Sequence, residues 1–217
     1  MYSENNSNES LSEKCDKMAE QYDQNKETQG WRGPDIVFGM AYEFIENGQS
    51  ILDIGIGTGL GSIPFYKAGL RIYGMDLSTN MLEACRKKGI AHELQQHDLT
   101  KSPYPYHDEM FDHAICVGVL NHFDNLLPIF SETSRILKRK GTFTFIVADR
   151  KSNEEPTFCV EHDNIKTIMF RYSSEQINKL LHNNNFELLK HVEFLVPGHK
   201  DKNKPMRLKS YTAKRIS

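Results

Sequence analysis

The segment Ser50-Ile51-Leu52-Asp53-Ile54-Gly55-Ile56-Gly57-Thr58-Gly59 constrains this chain more than any other. An apolar run that ends in an acid reads as a buried strand. The three alternating glycines after it remove side chains where the backbone must turn sharply and approach a ligand. A helix opening at Gly59-Leu60 points its free N–H groups back at the turn. Strand, bare turn and helix N-terminus in that order make a nucleotide-type cofactor site.

The rest of the chain repeats the unit. Strands are expected at 51–54, 71–75, 90–96, 111–117, 142–147, 186–196 and 207–214, with helices between them. Pro64 sits far into the predicted helix 60–68, which must therefore begin late or bend. Ser78 caps the next helix, with Met81, Leu82 and Cys85 inward. A long helix carrying Leu126, Ile129, Phe130 and Ile136 is expected to end in Lys138-Arg139-Lys140, where cations suit a helix C-terminus. Ser173 and Gln176 form a capping box for another helix. Such alternation implies an α/β fold with a mostly parallel, doubly wound sheet and helices on both faces. Ligands then bind at the carboxyl ends of the strands.

Ahead of this unit, residues 1–10 are polar and Asn/Ser-rich and read as a disordered tail; Met1 to Ser10 resembles neither a signal peptide nor an anchor. Ser10 and Glu13 supply a capping box for a helix through Leu11, Cys15, Met18, Ala19 and Tyr22. Pro34 opens a second helix with Ile36, Val37, Met40, Ala41, Phe44 and Ile45 on its buried face, stopped by Asn47-Gly48. Residues 11–217 are read as one domain, with lid helices at 11–47 and an insertion at 150–172. In that insertion 158–161 and 165–170 flank His162-Asp163-Asn164 as a hairpin. It is either a surface addition or a second lid.

The 217 residues suffice for one sizeable core. A formal charge of −2 gives no reason to expect nucleic acid. The late basic cluster, Lys200, Lys202, Lys204, Arg207, Lys209, Lys214 and Arg215, suits a solvated loop and an edge strand. No apolar run approaches the roughly 20 residues of a membrane span. Cys15, Cys85, Cys116 and Cys159 are scattered, which favours free thiols in a cytoplasmic setting over disulfides or a metal site.

The acids select the cofactor. In a dinucleotide fingerprint the third glycine lies one residue later than Gly59, and the turn receives a pyrophosphate. Asp53, just ahead of the glycines, would repel one. It suits a cationic amine, and S-adenosylmethionine has an ammonium, a sulfonium, ribose and adenine but no phosphate. Asp76 ends the second strand, where a carboxylate accepts both ribose hydroxyls. Asp98 ends the third, where it can read the exocyclic amine of adenine. Leu77, Met81 and Leu99 are placed to sandwich the ring, with core packing as the plain alternative. After strand four, Asn121 and His122 fall near the reactive methyl.

This order of motifs resembles the class I S-adenosylmethionine-dependent methyltransferases, most of all the branch around the ubiquinone and menaquinone biosynthesis methyltransferases. The resemblance is close over residues 22–147. It implies a Rossmann-like sheet of seven strands in the order 3-2-1-4-5-7-6 with the last antiparallel. It places Gly55, Ile56, Gly57, Thr58 and Gly59 against the methionine part, Asp76 and Leu77 at the ribose and adenine, and Asp98 and Leu99 at the adenine amine. Cys116, Val117 and Gly118 match the end of strand four, and His122 matches a recurrent histidine. Tyr22 and Trp31, with Arg32, are the lid candidates that close over the cofactor. Ile56 stands where a small residue or cysteine is common.

Methyl transfer is an in-line displacement that yields S-adenosylhomocysteine, and positioning is most of the catalysis. A base helps only where the acceptor arrives protonated; His122 is the first candidate, ahead of His97 and His162. The Asn-Pro-Pro-Tyr type segment that marks methylation of planar amines is missing after strand four, which favours a small-molecule acceptor. The acceptor space would draw on Tyr22, Trp31, Arg32, His122, Phe123, Phe158, Met169, Phe170, Arg171 and Tyr172. A monomer or weak homodimer is expected. The competing reading is a catalytically silent S-adenosylmethionine-binding partner that regulates another protein.

Overall fold

The computed structural model describes residues 13, 19, 21–162, 165–197 and 205–216. The predicted tail, the first capping box, Leu11, Cys15, Met18, the tip residues Asp163 and Asn164, the His162 side chain, Lys200, Lys202 and Lys204 lie outside the described residues. The elements are α1 Tyr22–Thr28, α2 Gly33–Ala41, β1 Ser50–Ile54, α3 Ile63–Lys67, β2 Arg71–Asp76, α4 Thr79–Lys87, β3 Ala91–Gln96 and β4 Phe111–Cys116. They continue with α5 Leu127–Ile136, β5 Leu137–Asp149, β6 Thr157–His162, β7 Ile165–Tyr172, α6 Ser174–Asn183, β8 Phe186–Val196 and β9 Met206–Arg215. Short 3₁₀ turns occupy Tyr42–Phe44 and Leu120–His122.

The sheet is parallel from β3 through β2, β1 and β4 to β5. Beyond β5 lies β9, antiparallel to it, and then β8, antiparallel to β9. These seven strands have the predicted order and the predicted antiparallel member. The described sheet nevertheless has nine strands. Its two extra members, β6 and β7, form the hairpin of the insertion. Their place follows from strand length. Strand β5 outruns β4, whose last partner pair is Cys116↔Phe145, and β7 takes the vacated edge at Ala148↔Arg171 and Asp149↔Tyr172. The insertion thus joins the sheet at the carboxyl end of β5.

Alternation along the strands divides the core. Ile51, Ile72, Ile115, Ile146 and Leu208 face Val37 and Ala41 of α2, Phe65 of α3, and Leu82 and Cys85 of α4. Leu52, Met75, Ala114, Phe143, Phe145 and Tyr211 face Ile129 and Phe130 of α5 and Ile177 of α6. All five residues of β1 are buried, which is why it reads as a continuous apolar run.

Four expectations are corrected by the structure. Helix α5 ends at Ile136, and Lys138, Arg139 and Lys140 belong to β5. Lys138 reaches Asp112 of β4 at 2.7 Å, and Lys140 takes φ 67° as the register shifts between Phe111 and His113. Cross-strand pairing outcompetes the helix terminus for those cations. Helix α2 stops at Ala41, before Phe44 and Ile45, where the chain tightens into the 3₁₀ turn. The helix expected to open at Leu60 instead starts at Ile63, the late start that Pro64 allowed for, with Pro64 in its first turn, where the missing N–H costs nothing. Strand β9 is internal, between β5 and β8, so Arg207, Lys214 and Arg215 are not on an edge. They pair instead with Asp149 and Glu154, Glu187, and Glu109 respectively.

Candidate active site

The turn after β1 bends only because glycines occupy it. Gly55 has φ 76°, and a Cβ there would lie 2.6 Å from Val119. Gly57 has φ 53°, and a Cβ there would meet nothing nearer than the Met81 sulfur at 4.0 Å. The backbone at Gly57 is therefore bare toward open space, as a ligand cradle requires.

Asp76 closes β2 and faces that cradle. Its Oδ2 accepts from the Gly57 N–H and its Oδ1 from the Ser78 N–H, each at 2.9 Å. These bonds fix the plane of the carboxylate beside the glycine turn. Ser78 caps α4 by accepting from the Met81 N–H at 3.1 Å, so Asp76 is not needed as a cap.

Asp53 is 2% exposed. Its Oδ2 accepts from the Ser62 hydroxyl at 2.8 Å, just beneath the start of α3. Burial, opposed by the Ser62 bond and aided by the charge of Asp76, pushes its pKa up to about 7.

After β3, Asp98 is half-buried and accepts from the Thr100 N–H at 2.9 Å and hydroxyl at 2.7 Å. Those bonds outweigh desolvation and hold its pKa below the usual range. Leu77 is half-buried, whereas Met81 and Leu99 are already core residues at 3% and 5% exposure. Cys116 is fully buried, and Val117 and Gly118 emerge half-buried at the strand end.

The candidate base His122 ends the 3₁₀ turn after β4 and is half-buried. Its neighbour Asn121 anchors that turn, accepting from the Ala148 N–H at 2.8 Å. His97 is committed to the loop after β3: a ring nitrogen meets the Lys101 carbonyl at 3.0 Å and the ring meets Tyr104 edge-on. Tyr172 of the insertion donates to the Phe123 carbonyl, so the hairpin touches the loop that carries His122.

The lid is more specific than the sequence suggests. Trp31 lies against Gly33, where a Cβ would meet its ring at 2.1 Å, and reaches the end of β4, 3.8 Å from a Cβ built on Gly118. Asp23, beside Tyr22 in α1, accepts from the Thr58 hydroxyl and pairs with Lys88. Lys88 also donates to the Thr58 carbonyl at 2.7 Å. Sequence reasoning missed Asp23, Lys88 and Ser62. Only the adjacency of Asp23 to Tyr22 hinted at the first, since the other two meet the turn through tertiary contacts.

Strand order, glycine turn and acids at the ends of β2 and β3 together define the class I methyltransferase fold. Residues 52–145 match the methyltransferase domain family, and the surrounding fold is similar to that of solved S-adenosylmethionine-dependent methyltransferases.

Among curated relatives, the chain is 30% identical over 110 residues to a ubiquinone biosynthesis O-methyltransferase of Actinobacillus pleuropneumoniae, covering 48% of this chain and 47% of that one. It is 29% identical over 94 residues to a demethylmenaquinone methyltransferase of Tropheryma whipplei, covering 43% and 39%. The matched region is thus less than half the length of these relatives. A chain from a complex containing the Haloferax volcanii Trm112 methyltransferase activator has the same fold. It aligns with a TM-score of 0.76 at 17% identity, over 96% of this chain and 98% of that one.

Proposed function

We propose that this protein moves the methyl group of S-adenosylmethionine to a small-molecule acceptor. The observation that carries the reading is the Asp76 carboxylate at the end of β2, fixed by the Gly57 and Ser78 N–H groups beside the bare glycine turn. A ribose diol is the ligand that such a carboxylate suits. The small-molecule acceptor is supported by the two relatives, whose names place them in quinone biosynthesis.

In this reading Gly55, Ile56, Gly57, Thr58 and Gly59 receive the methionine end, with Asp53 behind them setting the local charge. Asp76 takes the ribose, Leu77 and Met81 border the adenine, and Asp98 with Leu99 lies at its amine. Cys116, Val117 and Gly118 offer strand-end backbone to the ammonium. Tyr22 and Trp31 close the site against water, and the 150–172 insertion shields the acceptor side. The bound cofactor supplies a methyl group already activated by a sulfonium. What remains for the protein is to align the acceptor with it and exclude water. His122 holds or removes a proton where the acceptor is a hydroxyl.

Calorimetry with S-adenosylmethionine and S-adenosylhomocysteine tests the cofactor; absence of binding by both overturns the reading. Labelled-methyl transfer to a panel of phenols, hydroquinones and carboxylates tests the acceptor. Binding without transfer to any of them favours the silent regulatory partner instead.

A further inference from the structure

Lys26 is positioned by two rules of helix geometry. It lies one turn beyond Tyr22 in α1, so the two side chains share a face. The helix then ends in a Schellman motif. Gly30 adopts φ 66° and donates to the Glu27 carbonyl at 2.9 Å, and the Trp31 N–H donates to the Lys26 carbonyl at 3.0 Å. That motif folds Trp31 back over the last turn. The Lys26 ammonium consequently lies 5.2 Å from the Tyr22 ring centroid and 5.6 Å from the Trp31 ring centroid.

Two rings attract a cation but do not neutralise it. Among the described residues Lys26 has no hydrogen bond and no ion pair. Burial lowers its pKa below the ordinary lysine value, with no carboxylate opposing the shift. Two further acids that border the groove have other partners, Asp23 with Lys88 and the exposed Asp35 with Arg32. A half-buried ammonium without a counter-ion is disfavoured, and an incoming anion relieves it.

Lys26 and Trp31 also line a groove of about 1070 Å³ between α1, α2 and α3. Its apolar walls are Phe38, Tyr42, Ile45, Leu60, Ile63 and Pro64. Small-molecule sites commonly measure roughly 300–1,000 Å³, so the space admits a ligand of that size. Glu27, Glu46 and Lys67 also border it and are exposed, where water screens them. Gly57, Asp76 and Asp98 do not line it, so it is separate from the glycine cradle.

We propose that this groove binds an amphipathic carboxylate, its head on Lys26 between the Tyr22 and Trp31 rings and its apolar body along Phe38, Ile45 and Ile63. The inference does not rest on the methyl-transfer reading, because binding is measured directly.

The test is calorimetry on the full chain with octanoate and with its neutral analogue methyl octanoate, repeated on Lys26→Met. The native chain should bind octanoate at least about tenfold more tightly than the ester. Lys26→Met should bind both alike, with an unchanged thermal melt showing that the variant folds. Failure to bind octanoate, equal binding of acid and ester by the native chain, or undiminished preference in Lys26→Met overturns the proposal. So does a loss of about tenfold or more in S-adenosylhomocysteine affinity in Lys26→Met, which reassigns Lys26 to the cofactor's own carboxylate. Labelled methyl appearing in octanoate would identify the carboxylate as an acceptor as well as a ligand of the groove.

Discussion

Asp23 in α1 accepts a hydrogen bond of 2.5 Å from the hydroxyl of Thr58, a residue 35 positions away in the glycine turn. Through it, and through Lys88, helix α1 is tied to the glycine turn after β1. The contact couples the order of α1 to the shape of the turn. Asp23→Ala should weaken S-adenosylhomocysteine binding by about 0.5–1.5 kcal/mol, the net scale of one hydrogen bond. The ion pair with Lys88 is partly exposed and adds little once salt screens it. Calorimetry at low and high salt checks both statements, and an unchanged affinity would show that the lid is not coupled to the turn.

Asp76→Ala should weaken cofactor binding by about 1.5–3 kcal/mol, the scale for hydrogen bonds to a charged group. It should also lower the melting temperature, because the Gly57 and Ser78 N–H groups lose their acceptor. A variant that melts lower but binds S-adenosylhomocysteine normally would place the ribose elsewhere.

Asp53 and His113 respond to pH with opposite signs. Asp53 has its folded pKa raised to about 7 by burial, so its contribution to stability is full below the unfolded value near 4 and is lost as pH rises to about 7. His113 is buried between Thr142 and Gln49, and burial lowers its pKa to about 4. Its contribution is full above the unfolded value near 6.5 and is lost as pH falls toward 4. The slopes oppose between pH 4 and 7, so the native chain should show a flat profile there. Asp53→Asn should leave a chain that loses stability in acid, and His113→Gln one that gains it, each by about 2–3 kcal/mol across the window. Urea unfolding at pH 5 and pH 7 reads the difference.

A cofactor ammonium favours the ionised form of Asp53. At pH 6, binding of S-adenosylhomocysteine should therefore release protons from the native chain and release fewer from Asp53→Asn. Calorimetry in buffers of different ionisation enthalpy measures this directly. Equal proton release would remove Asp53 from the electrostatics of the site.

Trp31 is the single tryptophan of the chain, so its fluorescence reports the lid alone. Ligand closure should shift its emission to shorter wavelength. Gly33→Ala places a methyl 2.1 Å from the ring and should push Trp31 outward, at a cost of about 1–3 kcal/mol in stability. Its emission should move toward that of solvated tryptophan and lose the ligand response. A native-like spectrum in Gly33→Ala would mean the lid repacks without consequence.

Much of this molecule was readable along the chain. The seven strands, the glycine turn, the Ser78 cap, the Ser173–Gln176 capping box and the hairpin all depend on local periodicity and turn chemistry, while the strand order followed from the family resemblance. Such signals span a few residues and survive without knowledge of what lies opposite. Asp53, Asp76 and Asp98 were legible too, because an acid after an apolar run marks the carboxyl end of a strand in any parallel sheet.

Long-range contact decided the rest. Lys138–Lys140 could end a helix or begin a strand, and Asp112, remote in sequence, drew Lys138 into the strand. The extra length of β5 opened an edge that only β7 filled. Asp53 stood out from its position alone, but its burial in the fold, against the opposing Ser62 hydrogen bond, raised its pKa. Lys26 looked like any surface lysine until the Schellman turn brought Trp31 over it. Local patterns determine which elements form and where a strand ends. Charge state, lid contacts and free grooves depend on which distant residues the fold brings within a few ångströms.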